Sequence, residues 1–116
     1  MLLITPQHKI FLGVERIDFR KGLDGMATIC RQHWNLNPLE GHFFVFCNRR
    51  GNALRVLAHD AQGYWLAHKR LSQGTFRHWP KSKEAVLKLT HAQLHALLYN
   101  GNPLEVHTAP PWYPPP

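Results

Sequence analysis

Residues 42–79 alternate short apolar runs with turn-forming residues, and this pattern constrains the fold more than any other feature of the chain. The apolar runs cover residues 42–47, 53–59, 64–71 and 75–79, with Asn-Arg-Arg-Gly-Asn, Asp-Ala-Gln-Gly and Gln-Gly at the breaks. Runs of this length, bounded by such residues, are typical of antiparallel strands joined by hairpins. The sequence therefore predicts a four-stranded meander, preceded by an N-terminal strand or strand pair at residues 2–4 and 9–14.

A segment with helical periodicity precedes the meander. Asp18 is placed to cap a helix N-terminus, and the helix is predicted to reach about Trp34. Its apolar residues recur at spacings of three or four, which is the repeat of one helix face. They are Phe19, Leu23, Met26, Ile29 and Cys30.

A second helix is predicted after the meander. Thr90 and Gln93 form a capping-box signature, Leu94, Leu97 and Leu98 mark one face, and Gly101 and Pro103 end the helix. The complete pattern predicts an α+β fold, in which an antiparallel four- to five-stranded meander has one helix before it and one helix after it.

The chain has 116 residues, of which 44% are hydrophobic, and this length fits one domain. We expect residues 1–104 to form it and residues 105–116, which are rich in proline, to be an extended or disordered tail. No apolar run approaches the ~20 residues of a membrane span. The N-terminus does not resemble a signal peptide, and two cysteines are too few for a disulfide scaffold, so we expect a cytoplasmic protein.

The charge is strongly positive. Lys and Arg number 14 against 7 Asp and Glu, and the 14 basic residues all lie between Lys9 and Lys88. An excess of this kind attracts polyanions and favours a nucleic-acid or nucleoprotein partner. A solubilising surface is the alternative explanation.

Strand alternation assigns side chains of the meander to two faces. If the second turn is tight, His59 lies opposite Tyr64 and Arg55 lies opposite His68. One face is then almost wholly apolar and is predicted to be the core: Phe43, Val45, Cys47, Leu54, Val56, Ala58, Trp65 and Ala67. The other combines Phe44, Phe46, Leu57 and Leu66 with aromatic and cationic residues. That face could stack nucleic-acid bases, or a helix could cover its apolar part while its charged end reaches solvent.

Signals for catalysis are weak. Seven carboxylates are few for a two-metal nuclease, and Asp18 is better explained as a helix cap than as a partner of Asp24 in catalysis. His91 and His95 have a spacing that can bind zinc, but the intervening residues lack the glutamate of a zinc protease. We therefore predict no catalytic site, no metal site and no cofactor.

Several motifs in the expected order resemble one family, the TnpB accessory proteins of bacterial insertion sequences of the IS sixty-six type. The match runs from about residue 10 to residue 101. It is carried by Asp-Phe-Arg-Lys-Gly-Leu-Asp-Gly-Met at 18–26, His-Phe-Phe-Val-Phe-Cys-Asn-Arg-Arg-Gly at 42–51, Asp-Ala-Gln-Gly-Tyr-Trp-Leu-Ala-His-Lys-Arg-Leu at 60–71 and Gly-Thr-Phe-Arg-His-Trp-Pro at 74–80.

The resemblance implies a small non-catalytic protein that assists a separate transposase in moving an insertion sequence. Its partners would be the DNA of the element ends and the transposase. Basic residues in and near the motifs are the candidate contacts to DNA phosphates or to an acidic transposase surface: Arg20, Lys21, Arg49, Arg50, Arg55, Lys69, Arg70 and Arg77. An ion pair between Arg20 and Asp24, four residues apart, is a structural alternative for Arg20.

Two rival functions stay open at this point. The protein could be an adaptor that contacts only an acidic partner surface, without binding DNA. It could also be a metal-dependent nuclease subunit, in which case an Asp24→Asn change would abolish cleavage.

Overall fold

A computed structural model describes residues 8–105 and contains one five-stranded mixed sheet. Its strands are β1 (Ile10–Gly13), β2 (Phe43–Cys47), β3 (Ala53–His59), β4 (Tyr64–Arg70) and β5 (Val86–Leu89). They are arranged in the order β4-β3-β2-β1-β5. The helices are α1 (Gly22–Thr28), which a π-helical turn continues through Ile29–His33, and α2 (His91–Leu98). The predicted α+β class, with a helix on each side of the hairpin strands in the chain, is confirmed.

The sheet is not entirely a meander. Strands β2, β3 and β4 follow one another as antiparallel neighbours, but β1 runs parallel to β2, with α1 in the connection between them. A parallel pair needs such a crossover because a hairpin reverses the chain. The predicted N-terminal strand at residues 9–14 is confirmed as β1, and the segment at residues 2–4 lies outside the described residues.

The predicted fourth strand at residues 75–79 is wrong. This stretch is irregular, and its two large apolar side chains, Phe76 and Trp79, are buried in the core. The backbone N–H of Phe76 donates to the carbonyl of Gly51 at 2.8 Å, and the indole N–H of Trp79 donates to the carbonyl of Gly13 at 3.0 Å. The apolar pattern therefore reflects anchoring of a long connection. The last strand in the described part of the chain is β5, which pairs antiparallel with β1.

Local signals around α1 determine how the chain enters that helix. Asp18 is an N-cap, as predicted, because its carboxylate accepts the backbone N–H of Arg20 at 2.9 Å. It caps a 3-10 turn, Phe19–Lys21, that leads into α1 through Gly22. Gly22 has φ of +68° and ψ of −167°, a conformation that is open almost only to glycine. The turn and Gly22 set the direction in which Arg20 and Lys21 leave the fold.

Helix α2 begins with the predicted capping box. Thr90 accepts the backbone N–H of Gln93 at 3.1 Å, and the Gln93 side chain accepts the backbone N–H of Thr90 at 2.8 Å. At the other end, Asn100 takes the left-handed conformation with φ of +61°, and the N–H of Gly101 closes onto the carbonyl of Ala96 at 2.7 Å. The last described residues form a 3-10 turn, Pro103–Glu105. The predicted tail at residues 105–116 begins with Glu105 in this turn, and its remainder lies outside the described part of the chain.

Both faces of the central strands are buried. On one face, residues such as Phe43, Val45 and Val56 pack with Leu94 and Leu97 of α2. The other face packs under α1 and its π-helical turn, and its buried cluster is Met26, Ala27, Ile29, Cys30, Phe44, Phe46 and Leu57. Of the two alternatives for the second face, the structure shows the covering helix, and Phe44 and Phe46 are buried beneath it and cannot stack on nucleic-acid bases.

The outer strand β4 is covered less completely than the strands beside it. The predicted register is confirmed, with His59 opposite Tyr64 and Arg55 opposite His68. On the face that was predicted to be all core, however, Trp65 is 42% exposed and Ala67 is exposed. The core on that face therefore ends at β3.

Candidate functional site

The structure brings cations from two distant segments of the chain to one end of the sheet. Residue Ile17, in the loop between β1 and α1, forms a parallel bridge with Asn48, and its N–H donates to the carbonyl of Cys47 at 2.9 Å. This contact holds the loop against the β2–β3 turn. We call the resulting cluster the basic end; its members are Arg16, Arg20, Lys21, Arg49 and Arg50.

The β2–β3 turn that carries Arg49 and Arg50 is rigid. The side-chain oxygen of Asn48 accepts the N–H groups of Asn52 and Ala53 at 3.0 and 3.1 Å, and its amide donates to the side chain of Asn52 at 2.8 Å. Both arginines are exposed at the tip. Two flexible cationic side chains are therefore presented from a fixed backbone.

Arg16 completes the cluster, and sequence reasoning missed it. Its guanidinium lies against Gly51, where a Cβ atom would be 2.9 Å from the guanidinium carbon, and Gly51 has φ of +75°. A side chain at position 51 would displace Arg16 as well as strain the turn. No motif or periodicity marks Arg16 in the sequence, because its position beside the turn depends on the bridge between Ile17 and Asn48.

With only residues 8–105 considered, Arg20 is the one member of the basic end that forms an ion pair. Its guanidinium forms an ion pair with Asp18 at 2.8 Å, and its Nε also donates to the same carboxylate. Hydrogen bonding from Arg20 lowers the pKa of Asp18 to about 2, and the charge of Arg49 adds to this effect. The alternative ion pair with Asp24 does not form, because Asp18 lies closer and holds the guanidinium from two sides.

The surface of the basic end is concave. A depression of about 260 Å³ is lined by Lys21, His33, Trp34 and Arg49 among others, and a second of about 400 Å³ by Phe19, Arg20, Arg49 and Arg50 among others. Both include Asp18. Cationic donors therefore surround shallow spaces open to solvent, which is an arrangement that suits phosphate or carboxylate groups.

Two further candidate residues lie near the same end of the sheet. Arg70 is exposed at the end of β4 and pairs with Ala53, which directly follows the β2–β3 turn. Arg77 is exposed and adjoins Phe76, whose N–H bonds to Gly51 in that turn. The structure thus places six of the eight sequence-predicted residues at or beside the basic end.

The other two, Arg55 and Lys69, are held by contacts within the fold. The guanidinium of Arg55 donates to the carbonyl of Phe19 at 3.1 Å and to Nδ1 of His68 at 2.9 Å, and lies 4.6 Å from the centre of the Phe19 ring. Burial, followed by the charges of Arg55 and Arg70, lowers the pKa of His68. Lys69 donates to the carbonyl of Leu98, and its ammonium lies 5.1 Å from the Tyr99 ring centre.

Metal binding and thiol chemistry have no support in the described part of the chain. Residues 8–105 contain no set of three or more His, Cys, Asp or Glu side chains that could hold a metal ion. Burial raises the pKa of the Cys30 thiol to about 12 and that of Cys47 to about 11, which suppresses the reactive thiolate. On α2, the ring of His95 packs against Tyr99. No helix in the described part of the chain is long and apolar enough to cross a membrane.

Fold and site together describe a small basic α+β protein. The chain belongs to the family described as IS66 Orf2-like proteins, which matches residues 8–107 and confirms the resemblance to the TnpB accessory proteins. This membership associates the chain with transposition, and the family is not known as one of enzymes.

Two proteins of Sinorhizobium fredii are similar to most of the chain. One, described as uncharacterized protein y4hO, is 36% identical over 98 residues, which cover 84% of each chain. The other, described as uncharacterized protein y4jC, is 28% identical over 98 residues, which cover 83% of each chain. No solved structure matches.

Proposed function

We propose that the chain is a non-catalytic accessory factor for transposition that binds phosphates of insertion-sequence DNA through its basic end. The observation that carries the proposal is the convergence of Lys21, Arg49 and Arg50 with Arg16, although the two segments are separated by 28 residues or more in sequence (Lys21 to Arg49). Convergence of like charges is unfavourable in isolation, so a polyanionic partner explains it better than solubility does.

The cations of the basic end other than Arg20 are available to a ligand. Within residues 8–105, Arg20 with Asp18 is the only pair in which a Lys or Arg lies within 4.0 Å of a carboxylate. Arg49 and Arg50 extend from a turn whose backbone is already ordered, so binding requires no further ordering of that loop. Arginine matches phosphate because its planar guanidinium can donate two parallel hydrogen bonds.

A nuclease function has no comparable support. Hydrolysis with two metal ions needs several carboxylates converging on one site. Across residues 8–105 no such group is found, and Asp18 is engaged by Arg20. The proposal therefore assigns bond breaking to the transposase and DNA contact to this chain.

DNA binding is tested by fluorescence anisotropy with element-end and scrambled duplexes across a salt series. The Arg49→Ala/Arg50→Ala variant should bind both duplexes more weakly, and the slope of log affinity against log salt should fall by about 2, because each phosphate contact contributes roughly one unit. The matched control is Lys9→Ala/Lys88→Ala, which removes the same charge. These lysines are exposed near His42, at the opposite end of β1 from the basic end.

Equal loss of affinity in both double variants would show that only net charge matters and would contradict the assignment to the basic end. If the wild-type chain binds no duplex, the same variants should be tested for co-purification with the transposase. Selective loss there in Arg49→Ala/Arg50→Ala would establish the adaptor function in place of DNA binding.

A further inference from the structure

Strand β4 forms one edge of the sheet and pairs only with β3 among the described strands. The carbonyl of Gly63 accepts the N–H of Asp60 at 3.1 Å, and the N–H of Leu71 donates to the carbonyl of Asn52 at 2.8 Å. Odd-numbered residues of this ladder therefore direct their backbone polar groups toward β3. Because antiparallel ladders alternate, the even-numbered residues direct theirs outward: Tyr64, Leu66, His68 and Arg70.

This edge has few of the features that usually prevent strand pairing. All seven residues of β4 pair with β3 without a bulge, and the strand contains no proline and no acidic residue. Its lysine and its arginine are confined to the last two positions, Lys69 and Arg70. Regular edge strands of this length are templates for pairing with another chain.

Aromatic residues occupy the other half of β4. Trp65 is 42% exposed, and its indole N–H is fixed by a hydrogen bond of 2.7 Å to Asp60, so its ring is held in one place on the surface. Tyr64 lies beside it on the opposite face, and Ala67, at the centre, is exposed. One strand thus has an aromatic half and a cationic half, on either side of a small residue.

We propose that β4 pairs with β4 of a second copy of this chain, antiparallel and centred on Ala67, to form one continuous sheet. In that register Tyr64 lies opposite Arg70 of the second copy, Leu66 opposite His68, and Trp65 opposite Lys69. Directly opposite residues share a face, so Tyr64 and Arg70 form a cation–aromatic pair on one face. On the other face Trp65 packs beside Lys69, whose ammonium also lies 5.1 Å from the Tyr99 ring centre of its own copy. All outward backbone groups of one β4 meet outward groups of the other.

Other registers are less complementary. Hydrogen bonding between the two strands requires the even-numbered residues of one copy to lie opposite even-numbered residues of the other. An antiparallel pair that is centred on a single residue meets this requirement, so the neighbouring alternatives to Ala67 are Leu66 and His68. Centring on His68 places two histidines opposite each other and Lys69 opposite Ala67. Centring on Leu66 leaves Lys69 and Arg70 without opposite residues in β4. A parallel arrangement brings Arg70 of one copy close to Arg70 of the other, and the two like charges repel each other.

The dimer does not depend on DNA binding. Antiparallel pairing directs the two basic ends toward opposite ends of the joined sheet, so Arg49 and Arg50 of both copies stay accessible. Each copy carries a formal charge of +7, and salt screens the repulsion between them. Added salt should therefore strengthen the dimer, whereas it weakens phosphate binding.

Disulfide capture tests the centre of the register. In this register Ala67 of one copy lies opposite Ala67 of the other, in a non-hydrogen-bonded pair. The Cα atoms of such a pair are about 4.5 Å apart, which is within the range for a disulfide. The Ala67→Cys variant should form a linked dimer on mild oxidation. The matched control, Ala92→Cys, places an exposed thiol on α2 and should not, and Cys30 and Cys47 are buried. The register would be overturned if the Ala67→Cys variant formed disulfide-linked dimers no faster than the Ala92→Cys variant.

Charge exchange tests the predicted pairs in solution by sedimentation equilibrium. Trp65→Lys should raise the dimer dissociation constant by about tenfold or more, since it sets Lys against Lys69 at two symmetric positions. Adding Lys69→Glu should restore most of the affinity. Leu39→Lys, at a residue that is 55% exposed outside the sheet, should leave the dimer unchanged. A monomeric wild type, or no rescue in a double variant that is folded by circular dichroism, would overturn the proposal.

Discussion

The β2–β3 hairpin carries two cationic regions that the fold uses in opposite ways. Arg55, on β3, is held by Phe19 and His68 and takes part in the packing of α1 on the sheet. Arg49 and Arg50, at the turn, are exposed and have no carboxylate within 4.0 Å among residues 8–105. A basic residue in a motif is therefore structural or available according to what lies opposite it in space.

The contrast arises from where the chain crosses the sheet. The segment that leads into α1 passes over β3, so the carbonyl and ring of Phe19 meet Arg55. The same segment does not cover the β2–β3 turn. Ile17 forms its bridge with Asn48, before the tip, so Arg49 and Arg50 stay exposed. The guanidinium of Arg55 is therefore partly desolvated and hydrogen-bonded, whereas those of Arg49 and Arg50 stay in water.

The largest expected effect is on stability. Arg55→Met keeps an apolar stem but removes the hydrogen bonds to Phe19 and His68 and the ring contact, so it should lower the free energy of unfolding by about 1–3 kcal/mol. Arg49→Ala/Arg50→Ala should change it by less than about 0.5 kcal/mol. Urea unfolding measures both. Equal destabilisation by the two variants would remove the distinction between the regions.

The contact between Arg55 and His68 should also make stability depend on pH. The pKa of His68 lies below its ordinary value of 6.5, so the unfolded chain takes up the proton first as the pH falls. The stability contributed by neutral His68, which accepts from Arg55, is present above about pH 6.5 and is lost as the pH falls through the folded pKa. Unfolding curves between about pH 7 and pH 5 should be less pH-dependent in His68→Gln. An unchanged slope would show that His68 does not couple to folding.

The smallest change is expected in DNA affinity and concerns Arg20, which is exposed like Arg49 but is paired, as Arg55 is. Asp18→Asn should retain the helix cap, because asparagine caps as well as aspartate, while freeing Arg20 and removing a negative charge from the basic end. If the basic end binds DNA, the affinity at low salt should rise by about two- to fivefold. Anisotropy with the element-end duplex measures this change. A weaker complex would place Asp18 in direct support of binding.

Patterns local in sequence predicted most of the elements. The helix cap at Asp18, the capping box at Thr90 and the register of His59 with Tyr64 are confirmed, since each depends on residues a few positions apart. Strand β5 was missed because a short apolar run is recognisable as a strand only once β1 offers it an open edge. The irregular segment at residues 75–79 was mistaken for a strand because buried anchors and strand residues share the same apolar pattern.

Local patterns predicted some residues of the candidate site, and others depend on contacts between distant segments. Arg49 and Arg50 were predicted from a turn and a family motif, and both are exposed there, whereas Arg16 was missed and Arg55 is engaged within the fold. Sequence alone determined the short-range features, namely caps, turns, strand alternation and the excess of positive charge. Tertiary structure decided which cations meet and which are paired, because that depends on the parallel crossover bringing Ile17 beside Asn48. Contacts of this kind join residues far apart in the chain, and local propensity carries no information about them.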